Sequence, residues 1–172
     1  PLVDTAWTVD NTGGLLGHGH SVAAFKGDLY FGCTPQDAAT NAKIIKRTSA
    51  GVYSTVETGT STVGVDRYAA LTVFSGALYA QYFDPGVAQL VRRTTDGTTW
   101  TTDLDIENTI LVAGTTKVPA GTMVHNSVLY LVIIDDTEGG TTGRILRRSG
   151  GSWTSVYTGN LTGTIGIVRV QT

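Results

Sequence analysis

The sequence predicts an all-β protein built from four-stranded antiparallel meanders, the units that form the blades of a β-propeller. Three observations predict it. First, the phrase Leu29-Tyr30-Phe31 recurs as Leu78-Tyr79-Ala80 and Leu129-Tyr130-Leu131. Its tyrosines lie 49 and 51 residues apart, and a strand-rich repeat of roughly 50 residues is a propeller-blade period. Second, each copy follows a tight turn and precedes a basic pair and an aromatic. The pairs are Lys46-Arg47 before Tyr53, Arg92-Arg93 before Trp100, and Arg147-Arg148 before Trp153. Third, helical periodicity is almost absent: short apolar or alternating runs are punctuated by Gly, Asn, Asp and Ser.

The strands follow in order. The first unit reads as strand A over 21–25, B over 28–33, C over 43–48 and D over 52–57. The second gives 68–74, 77–83, 88–94 and 99–103. The third gives 122–125, 128–134, 144–149 and 152–157. The A–B turns Lys26-Gly27, Ser75-Gly76 and Asn126-Ser127 suit two-residue hairpins, because Gly and Asn accept a positive φ. The blades are thus expected over roughly 20–58, 67–104 and 120–158, in one domain spanning 1–172. At the ends, 4–12 around Trp7 aligns with the D strands, and 163–171 with an A strand. These partial strands suggest a shared or neighbouring blade. Three complete blades fall short of the roughly four to eight of a closed ring. The expectation is a further stretch of chain, or a ring completed by self-association, since an open sheet edge invites pairing.

Composition narrows the class. The 172 residues suffice for one cored domain. The chain is 41% hydrophobic with a net charge of −2, which fits neither disorder nor a basic nucleic-acid footprint. No apolar run approaches the length of a membrane-spanning helix, and no secretory leader is read at the start. The one cysteine, Cys33, follows a strand and reads as a buried, inert thiol.

The phrase Arg93-Thr94-Thr95-Asp96-Gly97-Thr98-Thr99-Trp100 resembles the Asp-box of sialidase-type propeller repeats, with one residue fewer between Asp96 and Trp100. Its counterparts, Thr48-Ser49-Ala50-Gly51-Val52-Tyr53 and Ser149-Gly150-Gly151-Ser152-Trp153, lack the Asp. The wider pattern of glycine turn, Leu-Tyr, Arg and Trp is similar to kelch-type repeats. The resemblance covers roughly residues 4–170 and implies a propeller architecture more than an activity. In such repeats Asp96 and Gly97 lock the C–D turn, and Trp100 packs between sheets. Trp7, Tyr53 and Trp153 occupy the matching aromatic position.

On a propeller, the D–A and B–C connections share one face, and loops on a rigid scaffold carry function. That places Asp66, Arg67, Tyr82, Asp84, Asp135 and Asp136 as candidate ligand-binding residues, with Asp37 and Glu138 nearby. Phe83, Gln81 and Gln89 stand beside Tyr82 and Asp84, where an aromatic face and amides suit a sugar. Arg67 suits a carboxylate. Arg47, Arg93 and Arg148 recur at one repeat position and read as architecture, not as the arginine triad of a sialidase. His18-Gly19-His20 puts two imidazoles on one side of an extended segment, a weak metal-ligand spacing. His125 falls in a turn expected on the opposite rim, so surface histidines are expected. The run Asp135-Asp136-Thr137-Glu138 is an acidic loop of the kind calcium takes, in no recognised calcium spacing.

The expected function is non-enzymatic recognition or adhesion, with a glycan or surface receptor bound on the loop face. The setting is extracellular, on a cell or virion surface such as a phage tail, without nucleic acid, membrane insertion or an obligatory cofactor. A structural propeller within a larger assembly is the first alternative. A sialidase-like glycosidase, which needs two facing carboxylates, is the second.

Overall fold

The structure, a computed structural model, describes residues 18–35, 41–61, 66–84, 88–106, 116–137 and 140–160. The expected partial strands 4–12, with Trp7, and 163–171 lie outside them, as do Asp37 and Glu138. Twelve strands form three four-stranded antiparallel sheets, each in plain chain order. Sheet 1 holds β1 (His18–Phe25), β2 (Asp28–Thr34), β3 (Lys43–Arg47) and β4 (Tyr53–Thr58). Sheet 2 holds β5 (Arg67–Phe74), β6 (Ala77–Asp84), β7 (Ala88–Thr94) and β8 (Thr101–Asp105). Sheet 3 holds β9 (Thr116–His125), β10 (Val128–Thr137), β11 (Gly140–Ser149) and β12 (Ser152–Asn160). Among the described residues no helix is long and apolar enough to cross a membrane.

The first hairpin of each sheet closes on two residues of positive φ: Lys26 (52°) and Gly27 (84°), Ser75 (48°) and Gly76 (73°), Asn126 (47°) and Ser127 (57°). Both central residues of a type I′ turn need that region, and the turn matches the strands' right-handed twist. Each sheet also carries two register shifts at matching places, one in the first hairpin and one between the last two strands. An extra residue there bends a strand and strengthens its twist.

The sheets stack face to face. β5 packs on β1 and β2, and β9 packs on β5 and β6. The repeated Leu-Tyr phrase drives this, because successive strand residues point to opposite faces. Leu78 packs back against sheet 1, beside Tyr30, Ile44, Leu71 and Trp100. Leu129 packs back against sheet 2, beside Tyr79, Val91, Leu131, Ile133 and Leu146. The tyrosines face forward: Tyr30 belongs to the seam with sheet 2 and Tyr79 to the seam with sheet 3. Sheet 2 is therefore covered on both sides, and all eight residues of β6 are buried.

His18 and His20 lie on the extended strand β1, and both are exposed. One expectation needs correction. Asp135 and Asp136 lie within β10, where they pair with Thr142 and Thr141 on one side and Lys117 and Thr116 on the other. The expected acidic loop is therefore mostly strand, because the β-branched residues on both sides extend the ladder past the apolar core.

Candidate functional site

The turn lock forms as its residues imply. The Asp96 Oδ1 atom accepts from the Thr98 N–H at 2.8 Å, the Thr99 N–H at 2.7 Å and the Thr94 hydroxyl at 2.9 Å. These donors, led by Thr99 N–H, hold the Asp96 carboxyl well below the usual carboxylate range. Gly97 has φ +85°, and a Cβ there would meet the Tyr30 hydroxyl of sheet 1 at 2.1 Å. The turn of one sheet thus seats on the tyrosine of the sheet before it. Trp100 is buried in the first seam, whereas Trp153 and Tyr53 are partly buried.

Of the candidate ligand residues, Asp66, Tyr82 and Asp84 come together, and they come together inside the first seam. All three are buried. Asp66 accepts from the Ala42 N–H at 3.0 Å and the Tyr82 hydroxyl at 2.9 Å. That hydroxyl accepts from the Thr60 N–H at 2.9 Å. Asp84 accepts from the Ser61 hydroxyl at 3.0 Å. Burial pushes the Tyr82 hydroxyl up to about 12 and raises Asp84 above its usual value. Gly59 lies so close that a Cβ would collide with Asp66 Oδ2. These polar side chains clasp the 59–61 segment onto sheet 2; both Asp66 oxygens and the Tyr82 hydroxyl are bonded there, whereas Asp84 Oδ2 is buried without a hydrogen-bond partner among the described residues.

Arg67 is half-buried and stacks on the Phe83 ring, 4.7 Å from its centroid. Gln81 and Gln89 are buried, on the face of sheet 2 that carries Tyr79. The positive field of Arg67, after burial, lowers the basicity of His20. That neighbour also repels a cation, and no group of three metal-ligating side chains occurs among the described residues. Cys33 is buried, and burial pushes its thiol up to about 11.

The open concave features lie elsewhere on the seams. One cleft of about 240 Å³ lies between sheets 1 and 2, lined by Glu57, Thr58, Thr60, Tyr68, Tyr82 and Arg92 among others. Glu57, at the end of β4, accepts from Arg92 Nε at 3.0 Å and Nη2 at 2.7 Å, and from the Tyr68 hydroxyl at 3.4 Å. The Tyr68 and Tyr82 rings stand 5.1 Å apart behind it. The second seam repeats the device. Asp103 of β8 accepts from Arg148 Nε at 2.8 Å and Nη2 at 2.9 Å, and from Trp153 Nε1 at 2.7 Å. A cleft of about 330 Å³ opens beside Asp103 and Trp153. Arg148 and Arg93 both stack on Tyr79, and Arg47 stacks on Tyr53.

Glu57, Arg92 and Asp103 escaped the sequence reading. Their signal is present in retrospect: an acid falls four residues after Tyr53 and three after Trp100, within reach of the next unit's basic pair. No family model and no curated protein matches this chain. What the seams can bind is therefore read from their own chemistry. The first cleft sets a carboxylate and a guanidinium side by side next to tyrosines, with the two charges cancelling, whereas the second is lined by Asp103 and Asp105 beside Trp153.

Proposed function

We propose that the three sheets are blades of a β-propeller, and that the protein is a non-enzymatic recognition or adhesion module for glycans or a glycosylated surface receptor. The supporting observation is the cleft between the first two sheets. Glu57 and Arg92 offer an acceptor beside a donor without net charge, which suits vicinal hydroxyls better than a charged ligand. Exposed Thr58 and Thr60 and the edges of Tyr68 and Tyr82 complete a polar-aromatic lining. The second seam opens a further cleft beside Asp103, Asp105 and Trp153, so one molecule offers two subsites and gains by avidity on a repetitive surface. Such a surface belongs to a cell or virion exterior, and no cofactor is required. A hydrolytic role is the weaker reading. The carboxylates Asp66 and Asp84, placed by the sequence as ligand groups, are buried and hydrogen-bonded to Tyr82 and Ser61, and neither lines the first cleft.

The test is a broad glycan array followed by calorimetry on any hit. The expected result is binding of an uncharged glycan that Thr60→Trp abolishes, since Thr60 is exposed and lines the cleft; its hydroxyl also bonds Tyr82, so the variant is first checked for native circular dichroism. Binding that Thr60→Trp leaves intact, or none on the array, defeats this site as the glycan subsite.

A further inference from the structure

Two sheet faces have no counterpart among the described residues, and the repeat identifies what each is built to meet. Within the chain, the backward face of one sheet is covered by the sheet before it. Leu78 and Leu129 are fully buried on such faces, whereas Leu29, at the same position in sheet 1, is 37% exposed. Val22 is 52% exposed where its equivalent Leu71 is 2%. These positions match through their ladders: Val22 opposes Phe31 as Leu71 opposes Ala80.

The forward face behaves in the mirror sense. Tyr30 and Tyr79 are buried by the following sheet, at 1% and 2%, whereas Tyr130 of sheet 3 is only partly buried. Met123 opposes Tyr130 across the ladder and is 53% exposed. Tyr157, on the same face of sheet 3 through its pairing with Ile145, is 48% exposed. The seam chemistry also changes. Val156 and Tyr157 occupy the positions that supply Asp103 and Glu57 in the earlier sheets, so this end face lacks the rim acid of the inner seams, and it carries exposed Arg147 opposite Tyr130. At the other end, Arg47 lies opposite Leu29 on the backward face of sheet 1 and stacks on Tyr53 of its own sheet.

We propose that the forward face of sheet 3 receives the backward face of sheet 1 of a second copy of this chain. The contact continues the interface the chain already builds twice, with Leu29 of one copy entering against Tyr130 and Met123 of the other. It is heterologous, because the two faces differ, and such contacts either close a ring or grow a filament. Two copies bring six sheets together, within the roughly four to eight of known rings. The closed dimer is the state inferred.

Light scattering on the purified chain tests it. The expected mass is that of two chains. Leu29→Asp and Met123→Asp, each checked for native circular dichroism, should each lower the dimer's apparent affinity at least tenfold. Mixing the two variants should give a two-chain species tighter than either variant alone, because one of its two seams joins native faces while the other carries both substitutions. A one-chain mass across the concentration range overturns the proposal and points to these faces being covered within the chain. A ladder of ever larger masses overturns the closed ring. A dimer that survives both variants, or a mixture no tighter than either variant alone, overturns the head-to-tail contact.

Discussion

Asp103→Ala should be the most damaging single change at the rim of the second seam. The carboxylate takes two bonds from Arg148 and one from Trp153 Nε1, all within 2.9 Å. The side chains of Asp103 and Arg148 keep only 9% and 14% of their exposure. Breaking a fully buried pair costs about 3–5 kcal/mol because the surviving charge is stranded, and an exposed pair is worth about 0.2–1 kcal/mol. The small residual exposure lets water reach Arg148, so we expect a loss of about 2–3 kcal/mol at neutral pH. Burial alone would raise the Asp103 carboxyl, but the Arg148 and Trp153 bonds outweigh it and hold it below its usual value. A group whose pKa is lower in the folded state stabilises above its unfolded value, and that contribution fades as pH falls through the folded one. The gap between wild type and Asp103→Asn should therefore narrow below about pH 4. Urea unfolding followed by tryptophan fluorescence measures this, with Trp153 as a local reporter. A double-mutant cycle with Arg148→Ala should return coupling above about 1 kcal/mol. A loss under about 0.5 kcal/mol for Asp103→Ala, or no coupling, would refute the idea that this pair fastens the sheets.

Four further outcomes are expected. Leu129→Ala should cost about 2–5 kcal/mol by leaving a cavity at the heart of the second seam, read from the same unfolding curves. Gly97→Ala should cost more than about 1–2 kcal/mol, because the residue must hold a left-handed backbone and its Cβ collides with the Tyr30 hydroxyl; thermal unfolding shows it. Ser127→Gly should instead stabilise by about 0.5–1 kcal/mol, since Ser127 holds φ 57° where the first two turns place Gly. Cys33 should react with a thiol reagent at pH 8 far more slowly in the native protein than in urea, because it is buried and its thiol stays protonated; equal rates would contradict its place in sheet 1.

The twelve strands were legible because their determinants are local. Alternation marks the strands, and residues tolerant of positive φ mark the A–B turns. The second unit's boundaries fell within about two residues for that reason. Sheet 3 was read too short: β9 begins at Thr116 and β10 runs to Thr137, through Pro119, Asp135 and Asp136, residues that locally argue against strand. The candidate site was less legible. Asp66 and Asp84 are polar and flank turns, so a sequence reading assigns them to solvent. Their partners, Ala42 and Ser61, lie 24 and 23 residues away and belong to the other side of a seam. Nothing local announces such a contact. The Glu57–Arg92 pair is 35 residues apart and became recognisable only once the stacking order of the sheets was known.

Each seam is complete in itself. The apolar core, the forward-facing tyrosine and the acid at the rim all come from two neighbouring sheets alone. A duplication or loss of one whole unit of 49 to 51 residues would therefore leave every remaining seam chemically intact. Such a chain can change size in evolution by counting, without first repairing its core, and relatives that differ in unit number should keep the same seam residues.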